Sequence, residues 1–190
     1  MKVSRAQVEL NRERILDTAA QLFRERGFDG IGLNDLMQAA GLTRGGFYGH
    51  FESKEDLAAQ ASRRALETTR DHWGAGAEPG TAALTGWIKA YLSQAHCDRL
   101  GEGCAFAALA GDAARAGPAV KQAFADGVED VVAALLPQLP DAEPAERRRH
   151  ALALLSTLVG ALVLARAVGR PALARELRQA TRESALSGLV

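Results

Sequence analysis

Apolar residues recur along the chain at three- and four-residue intervals, which is the spacing of helices with one buried face. The pattern is clear near the N-terminus, where Ser4 and Gln7 have the spacing of a capping box and Ile15, Ala19 and Leu22 continue one apolar stripe. Glycine and proline separate the later segments, and no segment has the alternation of a strand. We therefore predict an all-α fold of about nine helices, at roughly 4–26, 33–40, 43–51, 53–72, 81–97, 103–115, 118–136, 145–168 and 171–186.

Composition points to the same fold class. The chain has 190 residues, of which 47% are hydrophobic and 24% are charged, a balance typical of globular proteins. Its 38 alanines and 25 leucines far outnumber its 13 valines and isoleucines. Because Ala and Leu favour helices and β-branched residues favour strands, this composition disfavours a β-rich fold.

Charge and cysteine content narrow the classes of function. The formal net charge is zero, so affinity for nucleic acid would depend on local placement of charge. Two cysteines, Cys97 and Cys104, are too few for a disulfide scaffold and suit a reducing compartment. The N-terminal segment is polar, unlike a signal peptide, and the uncharged apolar run Ala151–Ala165 is shorter than the roughly 20 residues that span a bilayer. We expect a cytoplasmic protein without membrane contact.

The most informative stretch, Gly27 to Phe51, is typical of a helix, a glycine turn and a second helix. The second helix contains Gly45, Gly46 and Gly49, each of which costs about 1 kcal/mol of helix propensity relative to alanine. Glycine allows a helix to approach another surface closely, which would justify that cost. The neighbouring polar side chains are suited to phosphates and base edges; they are Thr43, Arg44, Tyr48 and His50.

Short motifs follow one another in a fixed order from Asn11 to Leu57. They are Arg14-Ile15-Leu16-x-x-Ala19, Leu22-Phe23-x-x-x-Gly27-Phe28, Asp35, Ala39-Ala40-Gly41-Leu42-Thr43, Gly45, Phe47-Tyr48, His50-Phe51 and Ser53-Lys54-x-x-Leu57. In this order and spacing they resemble the DNA-binding domain of the tetracycline-repressor (TetR) family of bacterial transcription regulators. The resemblance implies a DNA-binding domain at 1–56 and a helical effector-binding and dimerisation domain at 57–190.

The resemblance also implies roles for individual residues. The helix-turn-helix would span 32–51, with Thr43–His50 as the recognition helix. The chain departs from the family at Gly32, where Ser or Thr often caps the second helix and supplies a hydroxyl. The residues expected at base edges are Arg44, Gly45 and Gly46, and those expected to hold phosphates are Thr43, Tyr48, His50 and Lys54.

Lys54 has an independent reason to bind phosphate, because a cation in the first turn of a helix opposes the helix dipole unless an anion is near. Residues 1–56 carry 8 Lys/Arg against 9 Asp/Glu, so this domain is not basic overall. Four basic residues at its start are candidates for an N-terminal arm on the DNA backbone or minor groove; they are Lys2, Arg5, Arg12 and Arg14. The alternative is that Arg12 and Arg14 only solvate the first helix.

The C-terminal region is less informative, and the family layout guides its interpretation. The apolar helix at about 145–168 and the last helix at about 171–186 are the expected interface of a homodimer that would read a palindromic operator. Candidates for lining an effector pocket are Trp87, Tyr91, Phe106 and Phe124, with His96 or His150 as further possibilities.

The two cysteines leave a second mode of regulation open. Cys104 lies near a helix start, where the dipole could lower the pKa of its thiol. A thiol-responsive regulator that uses Cys97 or Cys104 is therefore an alternative to one that binds a small-molecule effector. Cys104 is accordingly a further candidate for the pocket lining. The plainer interpretation is that both cysteines fill the core.

Two other classes of function fit the sequence less well. No nucleophile elbow, P-loop, paired-carboxylate site or dinucleotide fingerprint is present, so an enzyme is not expected. A non-specific architectural DNA binder is disfavoured by the neutral N-terminal domain and the large apolar C-terminal domain. No Cys/His set has zinc-site spacing, and we expect neither a metal nor a cofactor.

Overall fold

The protein is described here by a computed structural model, which covers residues 4–74 and 81–189. None of these residues lies in a β-strand, and the predicted all-α fold is confirmed. Most of the break predicted over 74–80 falls outside the described residues. The elements are α1 (Arg5–Arg26), α2 (Leu33–Ala39), η1 (Arg44–Gly49), α3 (Lys54–Gly74), α4 (Thr81–Tyr91), α5 (Gln94–Asp98), α6 (Ala105–Ala113), α7 (Pro118–Leu135), η2 (Leu136–Gln138), α8 (Pro144–Ala167) and α9 (Pro171–Ser187), where η marks a 3-10 helix.

The N-terminal helices begin and end at the residues that the capping signals predict. Ser4 Oγ accepts a hydrogen bond of 3.2 Å from the backbone N–H of Gln7, which caps α1. Gly27 ends α1 with φ +75°, and Gly41 follows α2 with φ +71°. These backbone angles strain any residue with a Cβ, so glycine is the residue that the two helix ends require.

The predicted recognition helix forms as a 3-10 helix rather than an α-helix. Its hydrogen bonds join residues three positions apart, from Gly46 N–H to Thr43 O at 3.0 Å and from His50 N–H to Phe47 O at 2.9 Å. Three glycines in six residues weaken the preference of this segment for the α-helix. The segment therefore forms a 3-10 helix, which is tighter and occurs in short lengths.

Two predicted boundaries are wrong. The helix expected over 81–97 divides into α4 and α5, because Ser93 breaks the chain and caps α5 by accepting a 3.2 Å bond from His96 N–H. The connection between the helices predicted at 118–136 and 145–168, which contains Pro137, Pro140 and Pro144, is also shorter than expected. Pro137 lies in η2, and Pro144 is the first residue of α8, where its missing N–H costs nothing.

Helix α3 connects the N-terminal helices to the rest of the molecule. Its 21 residues extend for about 30 Å, packing against α1, α6 and α7. The contact with α7 is close at Gly127, where an added Cβ would lie 3.0 Å from the Leu66 side chain. A single rigid helix therefore runs from the helix-turn-helix into the C-terminal core.

Helix α8 packs against α6, α7 and α9 and buries Leu158 and Leu162 completely. It is also long and apolar enough to cross a membrane by length and composition, with a mean hydropathy of 1.7 over its most apolar window. Two large apolar side chains of α8 remain uncovered in the single chain, since Val163 is 39% and Leu164 52% exposed.

Candidate DNA-reading surface and effector cavity

The segment η1 is anchored by one aromatic side chain. Phe47 is fully buried, with its ring stacked 5.6 Å from Phe51 and edge-on 5.2 Å from Tyr48. The segment has no other buried residue, so the position of η1 depends on how Phe47 packs in the N-terminal core.

The outer side of η1 presents the residues that the sequence singles out. Arg44, Gly45 and Gly46 are exposed, and Tyr48 is 66% exposed although it is a large aromatic residue. A Cβ added at Gly45 would meet no atom within 4 Å, so the glycine leaves open space outside the helix. Thr43 makes no capping hydrogen bond, which keeps its hydroxyl available to a ligand.

His50 and Lys54 flank this surface and are only half-buried. His50 Nδ1 is enclosed and lacks a hydrogen-bond partner among the described residues, while its ring lies 6.3 Å from that of Phe51. Lys54 is the first residue of α3, and Ser53 Oγ caps this helix by accepting a 3.0 Å bond from Asp56 N–H. The seven predicted DNA contacts thus lie in one short stretch of the chain, from Thr43 before η1 to Lys54 at the start of α3.

The basic residues before the helix-turn-helix do not form an extended arm within the described chain. Arg5, Arg12 and Arg14 all belong to α1, and Lys2 lies outside the described residues. Arg12 bonds Gln60 and lies 5.4 Å above the Phe51 ring, so it ties α1 to the start of α3.

A cavity of about 560 Å³ opens between α3, α4, α5 and the residues before α6. This volume is typical of small-molecule sites. Three aromatic rings form one wall, with Trp73 and Trp87 4.1 Å apart and Tyr91 4.9 Å from Trp87. The polar lining comes mainly from Arg24, Thr69, His72, His96, Arg99, Glu102 and Cys104.

Three of the five predicted pocket residues line this cavity, namely Trp87, Tyr91 and Cys104, and two do not. Phe106 and Phe124 pack on each other edge-on at 5.8 Å, on the side where α6 meets α7, and belong to the core. Of the two histidines, His96 lines the cavity, whereas His150 is an exposed residue of α8.

The thiol of Cys104 is deeply buried. Cys104 occupies the N-cap of α6, but it is only 4% exposed, and burial raises the pKa of its thiol despite hydrogen bonds from the Tyr91 hydroxyl and from the helix backbone. Cys97 is also buried and does not line the cavity. The expectation of a lowered pKa at Cys104 is therefore wrong, because desolvation outweighs the dipole.

His96 is held as a neutral ring with a defined tautomer. Its Nδ1 lies 2.6 Å from the carbonyl of Tyr91 and must donate, while its Nε2 accepts a 3.3 Å bond from the backbone N–H of Cys104. Burial lowers the pKa of His96, helped by the nearby charges of Arg166, His72 and Arg99. The ring thus fixes the end of α4 to the start of α6 across the cavity.

Three arginines that sequence reasoning missed hold the chain around this cavity. Arg24 of α1 donates from Nε to Gly101 O at 2.6 Å, and Arg166 of α8 donates to Cys97 O at 3.0 Å and His96 O at 3.1 Å. Arg178 of α9 is buried and donates to Leu92 O at 3.0 Å. Each contact joins positions about 70 or more residues apart, so no local pattern could have indicated it.

Comparison with known proteins agrees with this geometry. Residues 15–61 match the profile of the bacterial regulatory proteins of the tetR family. The HTH-type transcriptional regulator Rv0196 of Mycobacterium tuberculosis is 33% identical over 168 residues, covering 82% of this chain and 84% of the relative. Matches to AcrR of Shigella flexneri and LmrA of Bacillus subtilis cover only 26% and 46% of those relatives.

Solved structures share the whole fold. Reduced NemR of Escherichia coli superposes with a TM-score of 0.78 at 21% identity, covering 95% of this chain and 97% of that chain. A TetR transcriptional regulator of Chloroflexus aurantiacus gives 0.74 at 25% identity, covering 96% and 95%.

The all-α fold with its N-terminal helix-turn-helix, the family profile over residues 15–61 and the relative Rv0196 together define this chain as a helix-turn-helix transcription regulator. The chain belongs to the TetR family of bacterial regulators.

Proposed function

We propose that the protein is a homodimeric repressor that a small molecule releases from its operator. The observation that carries this proposal is that one cavity wall includes Arg24, a residue of α1, and that α1 packs against α2, the helix that contacts η1. A molecule in the cavity therefore touches the DNA-binding domain directly. The HTH-type relative NemR of Escherichia coli, 48% identical over 44 residues, is named a repressor, which supports repression over activation.

The loop 99–104 is the connection between ligand and reading segment. Its Gly101 carbonyl accepts from Arg24, and a Cβ at Gly101 would lie 3.0 Å from Gln21 of α1, so loop and helix are in close contact. The same loop ends at Cys104, whose N–H is bound by His96. A ligand that displaces this loop would shift α1 with it.

On the DNA, Arg44 would read a base edge, with Gly45 and Gly46 allowing the backbone to enter the major groove. Phosphates would be held by Thr43, Tyr48, His50 and Lys54. The exposure of Arg44, and the absence of an ion pair to it among the described residues, support this role, since no internal partner has to be given up.

The proposed dimer interface is formed by α8 and α9. The outward face of α8 carries small and apolar residues, including Gly160, Val163 and Leu164, which water would otherwise cover. A second copy in a two-fold arrangement would bury this face, and soluble oligomers are most often such dimers. Because Arg166 and Arg178 extend from these helices to the α5 segment, the cavity also connects to the interface.

Release from the operator would follow from a shift in population between an operator-binding conformation of the dimer and a conformation that does not bind. An effector can move the equilibrium only by its difference in affinity for the operator-bound and released states. Its binding would favour a spacing of the two reading segments that no longer matches the half-sites of a palindrome.

A thiol-responsive mechanism is the second candidate, because Cys104 lines the cavity. Its raised pKa disfavours the reactive thiolate and so favours the small-molecule mechanism. Replacing Cys104 and Cys97 by serine separates the two: a response to effector that survives excludes thiol chemistry as the signal.

The proposal is tested by selecting bound sequences from random DNA with the purified protein, and by sedimentation without DNA. We expect a palindromic consensus, and a mass near 40 kDa, twice the 20.1 kDa of one chain. An equal yield of all sequences would instead identify a non-specific DNA binder, and a monomer of 20 kDa at micromolar concentration would contradict the dimer.

A further inference from the structure

Two polar groups in the wall of the effector cavity are buried and poorly paired. Nη1 of Arg24 has no hydrogen-bond partner among the described residues, and the hydroxyl of Tyr91, a residue only 5% exposed, has only the buried thiol of Cys104 beside it, which is a weak partner. Buried polar groups are nearly always paired in folded proteins, and an orphaned group carries a free-energy cost. Both residues line the same cavity, so a single ligand could bond to both.

The two atoms define what kind of ligand group they would bind. The guanidinium can only donate, and it is already oriented by the bond from its Nε to Gly101 O. The hydroxyl can donate as well. Two donors, one of them charged, match an acceptor that is itself an anion, and a carboxylate is the usual planar partner of arginine.

The charge of the surroundings favours an anion. Burial lowers the pKa of Arg24, which means that the cation is poorly solvated and would gain from a counter-charge. Glu102 and Glu25 supply some negative charge, but both are exposed, and water screens them. Arg99 at the cavity and Arg166 behind it add further positive charge.

The rest of the cavity suits a flat apolar body. The rings of Trp73, Trp87 and Tyr91 lie within 5.4 Å of one another and form a continuous aromatic wall. Trp87 is half-exposed, so part of its surface remains open to a ligand. Aromatic molecules gain from offset or edge-on contact with such rings.

We propose that the effector is a planar aromatic carboxylate, with its carboxylate on Arg24 and Tyr91 and its rings on the tryptophan wall. This inference rests on the proposed function of the cavity and adds the chemical class of its ligand. The carboxylate would then bridge the C-terminal domain to α1, since Tyr91 belongs to α4 and Arg24 to the DNA-binding domain.

The test is calorimetric titration of the full-length protein with 2-naphthoate and with 2-naphthamide, which has the same shape and no charge. We expect the carboxylate to bind at least about tenfold more tightly, as is typical of hydrogen bonds to a charged group. Equal affinity for the two probes, or no binding of naphthoate at millimolar concentration, would overturn the proposal.

The variant Tyr91→Phe removes only the hydroxyl. Because that hydroxyl has only a weak contact with the Cys104 thiol to lose, we expect a nearly unchanged melting temperature together with a loss of about tenfold in naphthoate affinity and little change for naphthamide. A lowered melting temperature with an unchanged preference for naphthoate would mean that the hydroxyl is structural and would contradict the assignment.

Arg24→Gln should abolish the preference for naphthoate over naphthamide. Arg99→Gln is the matched control, because Arg99 is an exposed arginine of the same cavity, and it should retain most of the preference. If both variants lose the preference equally, general positive charge and not the Arg24 site selects the ligand.

Operator binding measured with the same probes separates this inference from the proposed function. If naphthamide binds and releases the operator as well as naphthoate does, the ligand class is wrong while the repressor mechanism stands. If naphthoate binds through Arg24 and the operator complex persists, the ligand class stands and the release mechanism fails.

Discussion

The neutral state of His96 makes a quantitative prediction about stability and pH. The variant His96→Leu removes the bond to the Tyr91 carbonyl and the bond to the Cys104 N–H, and it leaves both backbone groups without that partner. At about 1 kcal/mol for each neutral hydrogen bond, the free energy of unfolding should fall by about 2 kcal/mol at pH 7.5. The half-buried position lets water reach part of the site, so a larger loss is not expected.

The two hydrogen bonds of the neutral His96 ring also determine how the loss of stability in His96→Leu depends on pH. Burial lowers the pKa of His96, so the unfolded chain binds more protons than the folded chain as the pH falls below the ordinary value of 6.5. The wild-type protein therefore loses the contribution of His96 in that range, whereas the variant has no such contribution to lose. The difference in stability between the two should shrink from pH 7.5 to pH 5.5.

Urea denaturation followed by circular dichroism at both pH values measures this difference. Wild type and variant must be compared at one protein concentration, because dimerisation would contribute to stability. The other histidines are present in both proteins, so the part of their titration that does not depend on His96 cancels from the comparison, and only His72, whose charge acts on His96, remains coupled to the change. If the stability difference between wild type and variant stays constant or grows at pH 5.5, His96 is not a neutral ring that donates from Nδ1 and accepts at Nε2.

Four further substitutions test other parts of the molecule. Phe47→Ala should cost about 3–5 kcal/mol in the unfolding free energy, as expected for a fully buried phenylalanine, and should weaken operator binding although the ring touches no DNA. Arg44→Ala should cost about 1–3 kcal/mol of binding free energy on the selected operator and relax the base preference at one base pair per half-site. Lys54→Ala should weaken binding to all sequences alike and reduce the slope of log affinity against log salt by about one unit per lost phosphate contact. Gel-shift titrations at several salt concentrations measure both effects. Leu164→Glu should dissociate the dimer in sedimentation without unfolding it, because this side chain is 52% exposed in the single chain; a stable dimer of this variant would remove α8 from the interface.

Much of the fold could be predicted because its signals are local. Ser4 caps α1, and the glycines that end the first two helices have positive φ, so each boundary is decided by neighbours a few residues away. Ser93 is a signal of the same kind that was missed: its hydroxyl caps α5 and divides a segment whose apolar pattern suggested one continuous helix. Apolar periodicity alone does not register such a break.

The cavity was harder to predict because its walls come from distant parts of the chain. Trp87 and Phe106 both fit a buried helix face, and only packing decides that the first lines a cavity while the second fills the core. Arg24 lies within the predicted first helix, yet it donates to a carbonyl 77 positions away. Burial likewise reversed the expected pKa shift of Cys104, since the depth of a residue is a property of the assembled fold.

The central claim is that η1 enters the major groove of an operator, and Gly45→Leu tests it most directly. A leucine there has open space in the free protein, so the melting temperature should not fall, and Gly111→Leu in α6 is the matched control at another exposed helical glycine with the same open space. The measurement is the affinity of both variants for the operator selected by the wild-type protein. We predict that Gly111→Leu binds normally and that Gly45→Leu, although folded, does not bind; operator binding by Gly45→Leu at wild-type affinity would contradict the account.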